Sequence, residues 1–254
     1  MRTLACLCFG VIACGPHGEA IPDGGFISYQ GDATAEGATD GAIDGPPSFY
    51  PLPDGGTIAA DRFITSVVSF MPGPCAGFGQ AEMPTVVEGP PVGGGTSEGS
   101  TDVVSLGVGG TIVVSFAPNA IIDGPGVDFV VFENPFWIGG NPNDVYAEPG
   151  TVSVSDDGVT WTSYPCTATV QDPPYGSCAG WTPVMSAPGN SISPVDYPAC
   201  GGNGFDLADI GVTHVRFVKI VDHSGEVCPS DPAQQPKMDG FDLDAISIIN
   251  AETP

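Results

Sequence analysis

Positive charge is what this sequence lacks most. Its 254 residues hold five Lys and Arg against 30 Asp and Glu, a formal net charge of -25. A field of that sign repels phosphate backbones and anionic lipid headgroups and attracts cations, which argues against a nucleic-acid partner. Its plainest role is solubility outside the cell, with a dedicated cation site as an addition. Histidine is scarce too: His17, His214 and His223 are the whole set. Asp222, His223 and Ser224 are consecutive, so by sequence alone they form no nucleophile–base–orienter array. There is no HExxH pair, and Gly93-Gly94-Gly95 precedes no lysine. The cysteines show no CxxC or Cys/His zinc spacing. No stretch keeps a helical period, and none approaches the ~20 apolar residues a membrane helix requires.

What is present is turn chemistry and short apolar runs. The chain has 37 Gly and 27 Pro, yet 41% of its residues are hydrophobic. Val, Ile and Phe gather in brief clusters, which suits many short strands joined by Gly/Pro-rich loops. Strands are expected at Arg62 to Phe70, Asp102 to Leu106, Thr111 to Phe116 and Asp128 to Phe132. Further strands are expected at Thr151 to Ser155, Val159 to Tyr164, His214 to Val221 and Ala245 to Ile249. Asp128 to Phe132 is nearly all apolar and reads as a central strand buried on both faces. Gly107 to Gly110 reads as a tight turn joining the second strand to the third. Asp156-Asp157-Gly158 reads as a hairpin turn, and Phe205 to Ile210 as one short helical turn. The expected fold is all-β: a jelly-roll-like two-sheet β-sandwich.

The N-terminus reads as an export signal. Met1-Arg2 is followed by an apolar run from Thr3 to Ala13, too short to span a bilayer. Val11-Ile12-Ala13-Cys14 resembles a bacterial lipobox, which implies that residues 1–13 are removed and Cys14 is lipidated. The alternative is ordinary signal cleavage after Ala20. Gly15 follows the cysteine, and in lipoproteins of Gram-negative bacteria a residue other than Asp there directs sorting to the outer membrane. The protein is thus expected at the outer membrane or cell surface, touching membrane only through its anchor. Residues 14–56 read as a flexible acidic tether and 57–254 as the folded domain.

Five cysteines remain in an oxidising compartment. Cys166 and Cys178 bracket a Pro/Gly-rich loop and are the first expected disulfide. Cys200 with Cys228 is the second, with Cys75 joined to one of those two as the alternative; one thiol is left over.

Several segments carry a resemblance in the same order along the chain. They are Val104-Ser105-Leu106-Gly107 with Gly109-Gly110-Thr111-Ile112, Asp123-Gly124-Pro125-Gly126 with Asp128-Phe129-Val130-Val131-Phe132-Glu133-Asn134, and Glu148-Pro149 leading to Val152-Ser153-Val154-Ser155-Asp156-Asp157-Gly158. With two FDL phrases near the C-terminus, these stretches resemble bacterial secreted proteins and lipoproteins grouped as "cell surface protein", a family without an assigned activity. Ser155-Asp156-Asp157-Gly158-Val159-Thr160-Trp161 is also similar to a hairpin of discoidin-type, galactose-binding-like domains. That likeness implies a β-sandwich, with Trp161 either packing across the hairpin or stacking on a sugar.

The two phrases are Phe205-Asp206-Leu207-Ala208-Asp209 and Phe241-Asp242-Leu243-Asp244-Ala245. Each sets carboxylates beside large apolar residues, a costly arrangement unless something compensates. Strict alternation places Asp242 and Asp244 on the core face with Ile246 and Ile248. In jelly-roll carbohydrate-binding modules, which the last strand resembles, an Asp there often ligates a structural calcium. The expected site comprises Glu133, Asn134, Asp206, Asp242 and Asp244 around Ca2+, whose ligands are six to eight oxygens. The competing reading is that these aspartates cap turns. A bulge near Asp244 would turn both carboxylates outward. Trp137 and Trp181, both in Gly/Pro-rich loops, are the expected contacts for a glycan or cell-envelope polymer; otherwise they pin loops to the sandwich. The leading functional expectation is an exported surface binding module. The alternatives are a glycoside-active hydrolase using paired carboxylates, a pair that 30 acids do not single out, and a purely structural surface protein.

Overall fold

The computed structural model describes residues 47–168, 173–236 and 239–253. The expected signal, the lipidation site Cys14 and most of the expected tether lie outside that range. Every regular element among the described residues is a short β-strand or a single 3-10 turn. One antiparallel sheet has the order Thr162–Ser163, Gly150–Ser155, Phe217–Asp222, Thr111–Ser115, Ser66–Met71. A second has the order Asn203–Phe205, Phe129–Phe132, Ala245–Ile248. Val67, Phe70, Ile112, Val114, Val152, Val154, Val218 and Ile220 from the first sheet meet Phe129, Val131, Phe205, Ile246 and Ile248 from the second in one core. The architecture is an all-β sandwich.

Local sequence explains the pairing. In Phe217–Asp222, Val218, Ile220 and Asp222 are buried, while Phe217, Lys219 and Val221 are only partly so. Lys219 instead lies over the Trp161 ring, 4.3 Å from its centroid, on the outer face. Phe129–Phe132 is fully buried along its length because both of its faces are covered. Phe129 and Val131 enter the main core, and Val130 and Phe132 pack with Val184, Cys200 and Ala245 behind the sheet. In the turn after Ser155, the Asp157 carboxylate accepts from the amides of Val159 and Thr160 at 2.8 and 2.7 Å.

Three expectations are corrected. The glycines at 107–110 do not join a hairpin: Val104–Ser105 pairs with Asp242–Leu243, and Thr111–Ser115 pairs in the other sheet. The turn therefore carries the chain from that separate two-stranded pair into the five-stranded sheet. The folded part begins before residue 57, because Phe49–Pro51 pairs with Thr57–Ala59 and the Tyr50 ring meets Phe63 edge-on at 5.5 Å. Cys166–Cys178 is a disulfide, but Cys228 bonds Cys75, and Cys200 is free. Cys200 is buried in the apolar layer behind the three-stranded sheet, where its thiol meets the Gly201 carbonyl at 3.3 Å, and burial pushes the thiol up to about 12.

Candidate metal centre

The two FDL phrases flank opposite ends of one strand. Phe205 pairs with Phe129, so Asp206 lies past the beginning of Phe129–Phe132. Ala245 pairs with Phe132, so Asp242 lies past its end, beside Glu133. Asp206 is therefore not part of a site with Asp242. It caps the turn Leu207–Ile210, accepting from the Ala208 amide at 2.9 Å. The acids near it are Asp123 and Asp128, and Asp128 is satisfied by Gly124, Asn250 and Leu207 at 2.7–2.9 Å.

The expected alternation of the last strand also fails. Phe241 and Leu243 reach the core, yet so do Ile246 and Ile248. The odd-to-even change falls at Asp244, which separates Asp242–Leu243 from Ala245–Ile248. One residue out of register moves the preceding side chains to the other face. Asp242 thus turns away from the main core, and Asp244 turns elsewhere. Both carboxylate oxygens of Asp244 face the Val92 amide at 3.1 Å, fixing a segment that walls an apolar groove of about 500 Å³. Asp244 is a buried anchor for that loop rather than a partner of Asp242. Burial pushes its carboxyl well above the usual range.

Where Asp242 does point, it meets Glu133 and Glu148. One oxygen from each of the three carboxylates lies within 4.8 Å of the others. Their exposures are 1, 2 and 3% for Asp242, Glu133 and Glu148, so water screens them little. Each also keeps one buried oxygen without a hydrogen-bond partner: Asp242 Oδ1, Glu133 Oε2 and Glu148 Oε1. For Glu133 and Asp242 the opposite oxygen is engaged: the Asp242 amide donates to Glu133 Oε1 at 3.2 Å. Asn134 Nδ2 donates to Asp242 Oδ2 at 3.3 Å and to the Ser100 carbonyl at 3.1 Å. Asn134 therefore orients Asp242 through its amide nitrogen.

Electrostatics sharpen the picture. No Lys, Arg or His among the described residues makes an ion pair with this trio; such pairs involve only Asp156 and Glu252. Two like charges no more than 4.8 Å apart at an effective dielectric of about 20 repel by at least roughly 3 kcal/mol. Burial, reinforced by Asp242, raises the Glu133 carboxyl, and burial with Glu133 as neighbour raises that of Glu148. Burial pushes Asp242 up to about 7. The neighbouring Tyr146 hydroxyl is raised by burial and then by Glu148. An all-oxygen set of three carboxylates without nitrogen or sulfur suits a hard cation such as Ca2+, Mg2+ or Mn2+.

Three chain segments build the centre: Glu133 continues the middle strand of one sheet, Glu148 precedes an inner strand of the other, and Asp242 opens the short strand Asp242–Leu243 that comes just before the last one. Glu148 carried no signal as a ligand in the sequence beyond an acid placed just before a strand. Of the two tryptophans expected to meet a ligand, one lines an opening of the described surface. Trp137 pairs with Val145 within the hairpin Phe136–Trp137/Val145–Tyr146 and does not line the opening. Trp181 does line it, stacked on Tyr175 with ring centroids 5.9 Å apart. Pro142, Asn143, Asp144 and Val145 form the facing wall, and the cleft measures about 730 Å³. No protein-family model and no curated protein matches this chain.

Proposed function

We propose that this chain is an exported, lipid-anchored cell-surface protein whose sandwich is a calcium-stabilised binding module. The observation that carries this reading is that Glu133, Glu148 and Asp242 bring one oxygen each within 4.8 Å of the others in a buried site, and that each of the three has an oxygen with no hydrogen-bond partner. A buried anionic trio is costly without a compensating charge, and a divalent cation supplies it where no basic side chain does. Export rests on the basic, apolar and lipobox-like run ending at Cys14, and two disulfides suit an oxidising compartment. The ligand class is a glycan or envelope polymer. Its support is the flat Tyr175–Trp181 stack, a surface on which a sugar ring packs, opposite the polar Asn143 and Asp144.

Thermal melting in calcium and in chelator tests the metal. A ligand bound only to the folded state raises stability by RT ln(1 + [L]/Kd), about 2.7 kcal/mol at roughly a hundredfold excess over Kd. The expected result is a higher Tm in calcium for the wild type and no shift for Glu148→Gln. An unchanged wild-type Tm at pH 8 sinks the metal reading. Polysaccharide pull-down with Trp181→Ala tests the ligand separately, and retention undiminished by that change removes the cleft from the proposal.

A further inference from the structure

Glu133 and Glu148 stand at the two ends of a single excursion of the chain. Residues 134–147 leave one sheet after Glu133 and rejoin the other at Glu148, and between them runs the hairpin Phe136–Trp137/Val145–Tyr146. The tip of that hairpin, through Pro142 to Val145, is one wall of the Trp181 cleft. We infer that cation occupancy at Glu133, Glu148 and Asp242 governs the cleft, by clasping the base of the hairpin that forms its movable wall. This rests on the calcium reading proposed above and extends it to regulation of the binding surface.

The two walls are held in different ways. The Trp181 wall is fastened by covalent and neutral bonds. Cys178 is disulfide-bonded to Cys166, and its carbonyl accepts from Trp181 Nε1 at 2.9 Å. Gly150 and Ala179 exchange amide hydrogen bonds at 3.1 and 3.0 Å. Asn203 Oδ1 accepts from the amides of Gly180 and Trp181 at 2.9 and 3.1 Å. None of these bonds uses a carboxylate of the trio. The hairpin wall has a two-residue ladder, a Phe136–Tyr146 stack at 5.2 Å, hydrogen bonds within its own turn, and a tie from the Trp137 amide to the Thr96 carbonyl at 2.9 Å. A two-stranded ribbon of that length is marginal by itself. Its base is the pair of carboxylates that repel each other when ionised and converge on a cation when one is bound. Filling the centre therefore exchanges a force that spreads the hairpin's ends for one that draws them together. Emptying it loosens the hairpin while the Trp181 wall stays in place.

Hydrogen exchange of the full chain at pH 8, in calcium and in chelator, reads this directly. The amides of Ile138 and Asp144, bonded within the hairpin at 2.8 and 3.0 Å, are the reporters. The amides of Gly180 and Trp181 are the control. With calcium at about ten times its Kd, opening that releases the ion is suppressed about tenfold. The expected result is about tenfold slower exchange at the reporters and little change at the control. In Glu148→Gln the calcium effect on the reporters is expected to vanish. A Tm raised by calcium with hairpin exchange unchanged overturns the coupling and leaves the metal site standing. A Tm and an exchange pattern both indifferent to calcium overturn the metal reading itself. Slowing of equal size at reporters and control also overturns the coupling, because the ion would then stabilise the sandwich as a whole.

Discussion

Two buried aspartates show how little residue type says about role. Asp128, fully buried, receives hydrogen bonds from Gly124, Leu207 and Asn250, whereas Asp242 keeps one oxygen bare. Removing the first strands three donors. Asp128→Ala is expected to cost on the order of 3 kcal/mol or more, measured by urea unfolding, whatever the calcium concentration. Removing the second charge has a sign that depends on the ion. In chelator at pH 8, Asp242→Asn relieves a buried unpaired charge and is expected to raise Tm; in calcium it removes a ligand and is expected to lower it relative to wild type. Equal Tm changes under both conditions would refute that assignment. Glu133 and Asp242 stood out in the sequence because each is an acid against an apolar strand. Glu148 did not, since only the pairing of its following strand with Phe217–Asp222 brings it to the same place.

At the scale of elements, each run of β-branched and aromatic residues marked a strand, because alternation and turn chemistry are local properties. The partners were less legible. The turn at Gly107 to Gly110 has the composition of a hairpin yet changes sheets, and its glycines do unequal work. A Cβ on Gly110 would sit 1.8 Å from the Leu106 carbonyl oxygen, a backbone atom that cannot swing aside. Gly109, at φ 69°, has open space around its Cβ position. Gly109→Ala is expected to cost about 1–2 kcal/mol, the usual penalty of a left-handed alanine. Gly110→Ala is expected to cost several-fold more or to abolish folding, in denaturant titrations of the pair. Comparable stability of the two variants would show that the sheet crossing is looser than described. The short ribbon at Phe136–Trp137 and Val145–Tyr146 left no periodic trace, being two residues per strand.

For the whole molecule, the buried acids set a pH dependence with a definite sign. Asp242 titrates near 7 when folded, against 3.8 as its ordinary value. Without a cation, folding therefore takes up a proton between those limits. The stability it contributes is complete below about pH 4 and is lost as pH rises through 7. Glu133 and Glu148 shift in the same direction and extend the loss upward. In chelator, Tm is expected to fall from pH 5 to pH 8, and the gain from calcium to grow over the same interval as the ion displaces protons. A chelated Tm that rises across that range would contradict the buried trio. Of the two disulfides, Cys75–Cys228 spans 153 residues and Cys166–Cys178 spans 12. Loop-closure entropy makes the long one the more stabilising, on the order of 4–5 kcal/mol. Cys75→Ser is expected to lower stability more than Cys166→Ser in parallel urea titrations.

The sequence by itself determined the all-β class, the position of most strands and the burial of Phe129–Phe132, since these follow from neighbours within a few residues. Which acids meet was decided by tertiary structure alone. Two phrases with the same letters part company because antiparallel pairing sends Asp206 and Asp242 to opposite ends of one strand. A one-residue break at Asp244 then separates it from Asp242, and a strand from the other sheet delivers Glu148 in its place. Register and sheet exchange are set by the packing of the entire core, so no local pattern encodes them.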